Sequence, residues 1–98
     1  MKTQPQTALV TGPTSGIGEA FARQLAQAGY DLVLVSRSEL KLSAMCQEME
    51  SKNGIKARYI VADLSQPGEP ERVFSETQAM AVEVDLLVNN AGNHDYGP

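Results

Sequence analysis

The chain alternates short apolar runs, rich in β-branched residues, with longer stretches of helical periodicity. The apolar runs fall at residues 7–11, 31–36, 56–62 and 84–88. Positions 32–35 are continuously apolar, as expected for a strand of a parallel sheet that is covered on both faces. The pattern therefore predicts four strands separated by helices.

The first helix is predicted over residues 16–28. Ile17, Phe21 and Leu25 recur four residues apart and form one apolar stripe. Gly29 follows as the C-terminal cap that ends the helix.

Two further helices fill the remaining gaps. Ser38 is the expected N-cap of a helix that runs to about residue 52, and Gly54 ends it. A turn at 67–70 precedes a third helix over about 71–81. The apolar face of the second helix comprises Leu42, Met45, Cys46 and Met49.

The order strand, helix, strand, helix, strand, helix, strand predicts an α/β domain with a parallel sheet. Right-handed crossovers leave few topologies for such a chain. The dinucleotide-binding arrangement places the strands in the order 3-2-1-4. We expect one domain over residues 1–98, a Rossmann-type doubly wound sheet that is incomplete at four strands.

A glycine-rich loop joins the first strand to the first helix. Residues 11–18 read Thr-Gly-Pro-Thr-Ser-Gly-Ile-Gly. The free amides and the dipole at a helix start attract a pyrophosphate. Gly12 permits the turn, Gly16 lets phosphates approach, and Gly18 allows close helix–strand packing. The loop residues expected at the cofactor also include Thr14, Ser15 and Ile17; a glycine-rich loop without any ligand is the alternative.

Four separate places together resemble the short-chain dehydrogenase/reductase family. They are the Gly-x-x-x-Gly-x-Gly loop, Ser36 with Arg37, Asp63 with Leu64, and the Asn-Asn-Ala-Gly run at 89–92. The resemblance covers residues 7–92. It implies an oxidoreductase that uses a nicotinamide dinucleotide and acts on a carbonyl or alcohol.

The end of the second strand is expected to select the cofactor. An acidic residue there would bind the ribose 2′-hydroxyl of NAD and repel a 2′-phosphate. This chain instead has Ser36, a hydroxyl donor, and Arg37, whose guanidinium pairs with phosphate. Lys41, one helical turn later, offers a second positive charge. We therefore predict NADP(H) over NAD(H), the alternative being that these side chains are merely solvated.

The resemblance assigns roles beyond the third strand. It implies that the Asp63 side chain meets the adenine amino group and that the Leu64 backbone lies beside it. As an alternative, Asp63 caps a helix or a turn before residues 65–67.

The resemblance also assigns roles to the Asn-Asn-Ala-Gly run. Asn89 is expected to support the sheet, and the region of Asn90 to touch the adenosine ribose. The small Ala91 and Gly92 let the cofactor pass closely, and Thr11 is expected to tie the first strand to this run.

The catalytic set of the family has no counterpart in these 98 residues. Its members carry a serine and a Tyr-x-x-x-Lys pair, whereas no lysine follows Tyr30, Tyr59 or Tyr96 at that spacing. The chain is thus expected to be the cofactor-binding, N-terminal part of an NADP-dependent oxidoreductase. A non-catalytic nucleotide-binding module, or a truncated chain that pairs with a full-length relative, is the alternative. A Rossmann methyltransferase would need an acidic residue near Ser36, and Arg37 opposes it.

Composition and charge limit the classes of partner and the location expected for the chain. The net charge of −4 does not favour nucleic acid or anionic membranes. No signal peptide or membrane-length apolar run is present, so a cytoplasmic location is expected. Cys46 is expected to be a buried packing residue and His94 a loop residue rather than a metal ligand.

The fourth strand is expected to lie at an open edge with partly uncovered apolar faces. Unpaired apolar edges promote association. We therefore expect the isolated chain to be weakly stable, self-associating or both.

Overall fold

A computed structural model describes residues 6–14 and 16–90. The first strand, as expected, leads through the glycine loop into the first helix, and strands and helices alternate to the last strand. The elements are β1 (Thr7–Thr11), α1 (Gly16–Gln27), β2 (Asp31–Ser36), α2 (Glu39–Asn53), β3 (Ala57–Val61), α3 (Glu69–Ala79) and β4 (Leu86–Asn89).

The four strands form one parallel sheet in the order β3-β2-β1-β4. The predicted Rossmann-type order 3-2-1-4 is therefore confirmed. In this register Leu9 of β1 lies opposite Val33 of β2 on one side and Leu87 of β4 on the other. All four carboxyl ends consequently meet at the same edge of the sheet.

The two faces of the sheet are covered unequally. One core contains buried residues of α1 and α2 packed on β1 and β2, including Ala22, Leu42 and Met49. The opposite core is smaller, and Val73 is its buried residue from α3. Two helices thus cover one face and a single helix covers the other, as the chain order predicts.

The apolar stripe predicted for α1 is wrong at two of its three residues, since only Leu25 packs against the core. Ile17 is 68% exposed and Phe21 is 46% exposed. The buried residues of this helix are instead Gly18, Ala22 and Ala26. These small residues are also four apart, and their size brings the helix axis close to the sheet, which the glycine loop requires.

Two predicted boundaries also move. Helix α3 begins at Glu69 and has Pro70 in its first turn, where a missing N–H costs nothing. Strand β4 begins at Leu86 rather than at Val84 and extends to Asn89. The apolar residues before it serve another purpose, because Val82 and Val84 pack against the core under α3.

The second helix matches its predicted caps and face. The Ser38 side chain accepts a hydrogen bond from the Lys41 N–H at 3.5 Å, and Gly54 caps the end in the left-handed conformation. All four residues of the predicted apolar face are buried, Cys46 among them. Burial raises the pKa of the Cys46 thiol to about 11, so this thiol stays protonated and unreactive near neutral pH.

Strand β3 is an edge strand, and charged side chains bond to two of its outward backbone groups. The backbone groups of Lys56 and Ala62, which flank the strand, form hydrogen bonds with β2. The backbone N–H and C=O groups of Ala57 and Val61 therefore face outward. Glu50 Oε2 accepts from the Ala57 N–H at 3.0 Å, and Arg72 Nη2 donates to the Val61 carbonyl at 2.7 Å.

Strand β4 forms the other edge and is less protected. It pairs with β1 alone among the described strands, and three of its four residues are exposed. Leu87, which lies on the α3 face beside Leu9, is 61% exposed. The expectation of an open apolar edge is confirmed for the part of the chain that the structure describes.

Candidate nucleotide-binding site

A cleft opens at the carboxyl edge of the sheet, where ligands of open α/β sheets bind. Its volume of about 1660 Å³ exceeds the roughly 300–1,000 Å³ of most small-molecule sites. The cleft is larger than such sites because it joins two regions. One is a polar end formed by loops after the strands, and the other is an apolar groove between α3 and β4 that includes Phe74 and Leu87.

The glycine loop turns sharply at the end of β1. Gly12 has a φ of 66°, in the left-handed region that glycine adopts without strain. Its N–H donates to the Val35 carbonyl at 2.9 Å, which ties the loop to β2. Gly12, Thr14 and Ile17 all line the cleft.

The two glycines that open α1 have opposite surroundings. A methyl group added at Gly18 would collide with the Gly12 carbonyl oxygen and lie 2.8 Å from Asn90 Nδ2. A methyl group added at Gly16 would meet no atom within 4 Å. Gly18 therefore serves packing inside the protein, whereas Gly16 borders open space.

Thr11 connects the glycine loop to the end of β4. Its Oγ1 donates to Asn89 Oδ1 at 3.0 Å and accepts from the Asn90 N–H at 2.9 Å. Asn90 Nδ2 donates to the Gly12 carbonyl at 3.3 Å. Both asparagine side chains thus hold the loop and the strand together. A ribose contact near Asn90 would fall to its backbone, because the side chain is directed at Gly12.

The end of β2 places a hydroxyl and a guanidinium at the cleft. Ser36 Oγ accepts from the Ser38 N–H at 3.2 Å, which leaves its own O–H able to donate. Arg37 is exposed and lines the same cleft. Its charge lies close enough to Asp63 to help lower the pKa of that carboxyl group.

Asp63 stands after β3 and is held by a turn. Its Oδ1 accepts from the Ser65 hydroxyl at 2.6 Å and from the Ser65 N–H at 3.0 Å. These two bonds are the main cause of its lowered pKa, with a smaller contribution from Arg37, so the carboxylate is charged. The turn role is thus present, and the adenine role requires the second oxygen, Oδ2. Leu64 lines the cleft beside it.

Several predicted residues lie outside the described part of the chain. These are Ser15, Ala91, Gly92, His94 and Tyr96. Among the residues that the structure does describe, no group of three His, Cys, Asp or Glu side chains is arranged to hold a metal ion.

Sequence reasoning missed two features of this site. One is the link from Asn90 to Gly12, which no spacing reveals because 78 residues separate its partners. The other is the apolar groove. Its apolar lining includes Phe74 and Leu87, which are 63% and 61% exposed, and this exposure depends on how α3 lies on the sheet.

A parallel 3-2-1-4 sheet with a glycine turn before its first helix and a cleft at its carboxyl edge defines the Rossmann class of α/β folds. The family model described as short chain dehydrogenase matches residues 6–98. The chain therefore belongs to the short-chain dehydrogenase/reductase family.

Two curated relatives illustrate the match in sequence. The very-long-chain 3-oxoacyl-CoA reductase of Candida glabrata is 41% identical over 87 residues, covering 87% of this chain and 24% of that protein. The 3-oxoacyl-[acyl-carrier-protein] reductase FabG of Aquifex aeolicus is 36% identical over 92 residues, covering 94% and 37%. This chain thus spans 24% to 37% of the length of these relatives.

Solved structures show the same fold. L-sorbose reductase from Gluconobacter frateurii, in complex with NADPH and L-sorbose, superposes with a TM-score of 0.85 at 31% identity and covers 92% of this chain and 34% of that one. An alcohol dehydrogenase from Thermococcus sibiricus, in complex with 5-hydroxy-NADP, gives 0.81 at 32% identity over 86% and 36%. Within residues 6–14 and 16–90, no helix is long and apolar enough to cross a membrane.

Proposed function

We propose that this chain is the NADP(H)-binding, N-terminal part of a short-chain oxidoreductase acting on a carbonyl or alcohol. The observation that carries the proposal is the polar end of the cleft. There the start of α1, the end of β2 and the turn after β3 bring donors and a cation to one edge of the sheet.

The pyrophosphate and the adenosine half of the dinucleotide each have a candidate site among these residues. The pyrophosphate lies against the helix start at Gly12, Thr14, Gly16 and Ile17, where backbone amides and the helix dipole favour negative charge. Gly16 leaves room for this approach. Ser15 belongs to the same proposed set by its place in the loop.

The adenosine half lies between the ends of β2 and β3. Arg37 pairs with the 2′-phosphate, and Ser36 donates its hydroxyl to the same group. Asp63 accepts from the adenine amino group through Oδ2, with Leu64 beside the ring. No carboxylate stands at the end of β2 itself, and this is why we propose NADP(H) over NAD(H).

The ribose side is formed at the end of β4. The backbone of Asn90 supplies the proposed ribose contact, and Ala91 and Gly92 belong to the same proposed set by their place in the sequence and their small size. Thr11 and the two asparagine side chains fix this strand end against the glycine loop. Their role is to position the binding surface rather than to react.

The bound nicotinamide supplies hydride exchange with a carbonyl or alcohol. Named relatives include reductases of 3-oxoacyl-CoA and of L-sorbose, which share a ketone group and little else. The substrate is therefore proposed only to the level of a carbonyl–alcohol pair. The Tyr-x-x-x-Lys pair of the family has no counterpart in the 98 residues, so proton transfer at the substrate requires groups beyond this chain.

The proposal is tested by titrating the folded chain with NADPH and NADH, measured by calorimetry. Charge-assisted hydrogen bonds are worth about 1.5–3 kcal/mol. Arg37→Gln should therefore weaken NADPH binding by roughly 10- to 100-fold and change NADH binding little. Lys56→Gln is the matched control. It removes the same charge at the amino ends of the strands, beside the start of β3 and away from the cleft.

Saturable NADPH binding that Arg37→Gln weakens, and that Lys56→Gln does not, supports the proposal. Equal affinity for both cofactors, unchanged by Arg37→Gln, would contradict the NADP(H) preference. No saturable binding of either cofactor to the folded chain would contradict the function itself.

A further inference from the structure

A bidentate ion pair joins the two helices that cover one face of the sheet. Arg23 of α1 donates from Nη1 to Glu48 Oε2 at 3.0 Å and from Nη2 to Glu48 Oε1 at 3.2 Å. Glu19, one turn earlier on α1, accepts from Arg23 Nε at 2.9 Å and holds the guanidinium in place. Among the described residues of α1 and α2, this pair is the one polar side-chain link between the helices. The hydrogen bonds from Arg23 also lower the pKa of the Glu48 carboxyl group, so both partners are charged near neutral pH.

The apolar contacts beneath this ion pair have little directional preference. Helix α1 contributes the small residues Ala22 and Ala26 to the shared core, and three of the four buried residues of α2 are Met45, Cys46 and Met49. Flexible methionine side chains adapt to small shifts and specify a packing arrangement poorly. A bidentate arginine–carboxylate pair, by contrast, has a defined planar geometry. The ion pair therefore supplies the directional contact between α1 and α2.

The starts of both helices lie at the nucleotide cleft. Helix α1 begins at Gly16, where the pyrophosphate is proposed to lie, and α2 begins at Glu39, two residues after Arg37. Arg23 and Glu48 do not line the cleft themselves. Because backbone hydrogen bonds keep the rise per residue of a helix constant, a slide of α2 at Glu48 would shift its first turn by about the same distance. The ion pair therefore acts on the cleft through the two helices.

We propose that Arg23 and Glu48 are positioning residues, which set the distance between the two phosphate subsites that NADPH spans. The inference rests on the proposed function. A ligand that occupies two subsites at once gains affinity from both only when their spacing matches its own length. A fragment that occupies one subsite has no such requirement. Loss of the ion pair should therefore weaken binding of the whole dinucleotide and spare binding of its fragments.

The experiment compares wild type, Glu48→Ala and Glu76→Ala for binding of NADPH and of 2′-AMP, by calorimetry at constant salt. Glu76 is the matched control, because it pairs with Arg72 within α3 and does not line the cleft. Its side chain is 45% exposed, close to the 40% of Glu48. Ion pairs at this exposure are modest, so we expect Glu48→Ala to weaken NADPH binding by about two- to fivefold. Binding of 2′-AMP should change by less than about 1.5-fold, and both variants should lose similar stability in urea.

The sign of the change separates positioning from net charge. Both substitutions remove one negative charge, and a less negative protein favours an anionic ligand. Net charge alone therefore predicts tighter NADPH binding for both variants, whereas the proposed role predicts weaker binding for Glu48→Ala alone. Arg23→Gln should also weaken NADPH binding. The double variant should lose less than the sum of the two single losses, because both substitutions remove the same interaction.

NADPH binding that Glu48→Ala leaves unchanged or strengthens would overturn this inference and leave the proposed function standing. An equal loss for NADPH and 2′-AMP would also overturn it, because the effect would then lie within one subsite. A loss with Glu76→Ala as large as with Glu48→Ala would do the same, since the effect would not depend on the link between α1 and α2. If wild type bound no NADPH, the proposed function would fail and this inference with it.

Discussion

Two glycines separated by one residue do different work at the start of α1. Gly18 packs against the Gly12 carbonyl and Asn90, and Gly16 borders open space. The packing role predicted for Gly18 is confirmed, and the phosphate-facing role of Gly16 stays a prediction. The contact of the Asn90 side chain with Gly12 depends on tertiary structure. From the sequence, the region of Asn90 was expected to touch the adenosine ribose.

Substituting alanine at these two positions separates packing from ligand approach. Gly18→Ala should destabilise the fold by about 1–3 kcal/mol, because the added methyl group overlaps backbone that cannot rotate away. Gly16→Ala should leave the free energy of unfolding within about 0.5 kcal/mol or raise it slightly, and should weaken NADPH binding. Urea unfolding and cofactor titration measure the two effects. Equal stability of both variants would contradict the packing role of Gly18.

At the scale of the elements, the sequence predicted every helix and strand and the order of the sheet. Capping residues account for the bounds of α2, since Ser38 and Gly54 occupy the positions predicted for them. The buried face of α1 was missed because the largest apolar residues, Ile17 and Phe21, point outward. The short distance between α1 and the sheet requires small residues on the buried face. The hydrophobic pattern of the sequence does not indicate this distance.

The two edges of the sheet lead to a prediction about association. Edge β3 has charged side chains on its outward backbone groups, whereas β4 carries the exposed Leu87. Leu87→Lys should therefore reduce self-association, since a lysine on an edge strand disfavours pairing with another chain. Val61→Lys on the guarded edge should not. Sedimentation from micromolar to millimolar concentration measures the difference.

Wild type that remains a monomer over that whole range would contradict this account of the β4 edge. An equal effect of Leu87→Lys and Val61→Lys would show that added charge, rather than the edge, controls association. The stability of Leu87→Lys should match wild type within about 0.5 kcal/mol, because the substituted side chain is largely exposed.

At the scale of the whole molecule, the parallel topology places every candidate ligand contact at one edge. The amino ends of the strands, at the opposite side of the sheet, serve structure. There Asp31 Oδ1 accepts from the Lys56 N–H and Asp85 Oδ2 accepts from the Thr7 N–H, both at 2.9 Å. Sequence reasoning could predict this division because parallel strands share their carboxyl ends. It could not predict the apolar groove under α3, because that groove depends on how far one helix covers a four-stranded sheet.

The most direct test of the account is a map of backbone amide shifts in the nitrogen–proton spectrum of the chain as NADPH is added. We predict saturable shifts at Gly12, at residues 16–18, and at Arg37 and Asp63. The amides of Asp31, Lys56 and Asp85, at the opposite edge, should not move. Shifts centred on the amino ends of the strands, or no shifts at all in a folded chain at millimolar NADPH, would contradict the proposed nucleotide site.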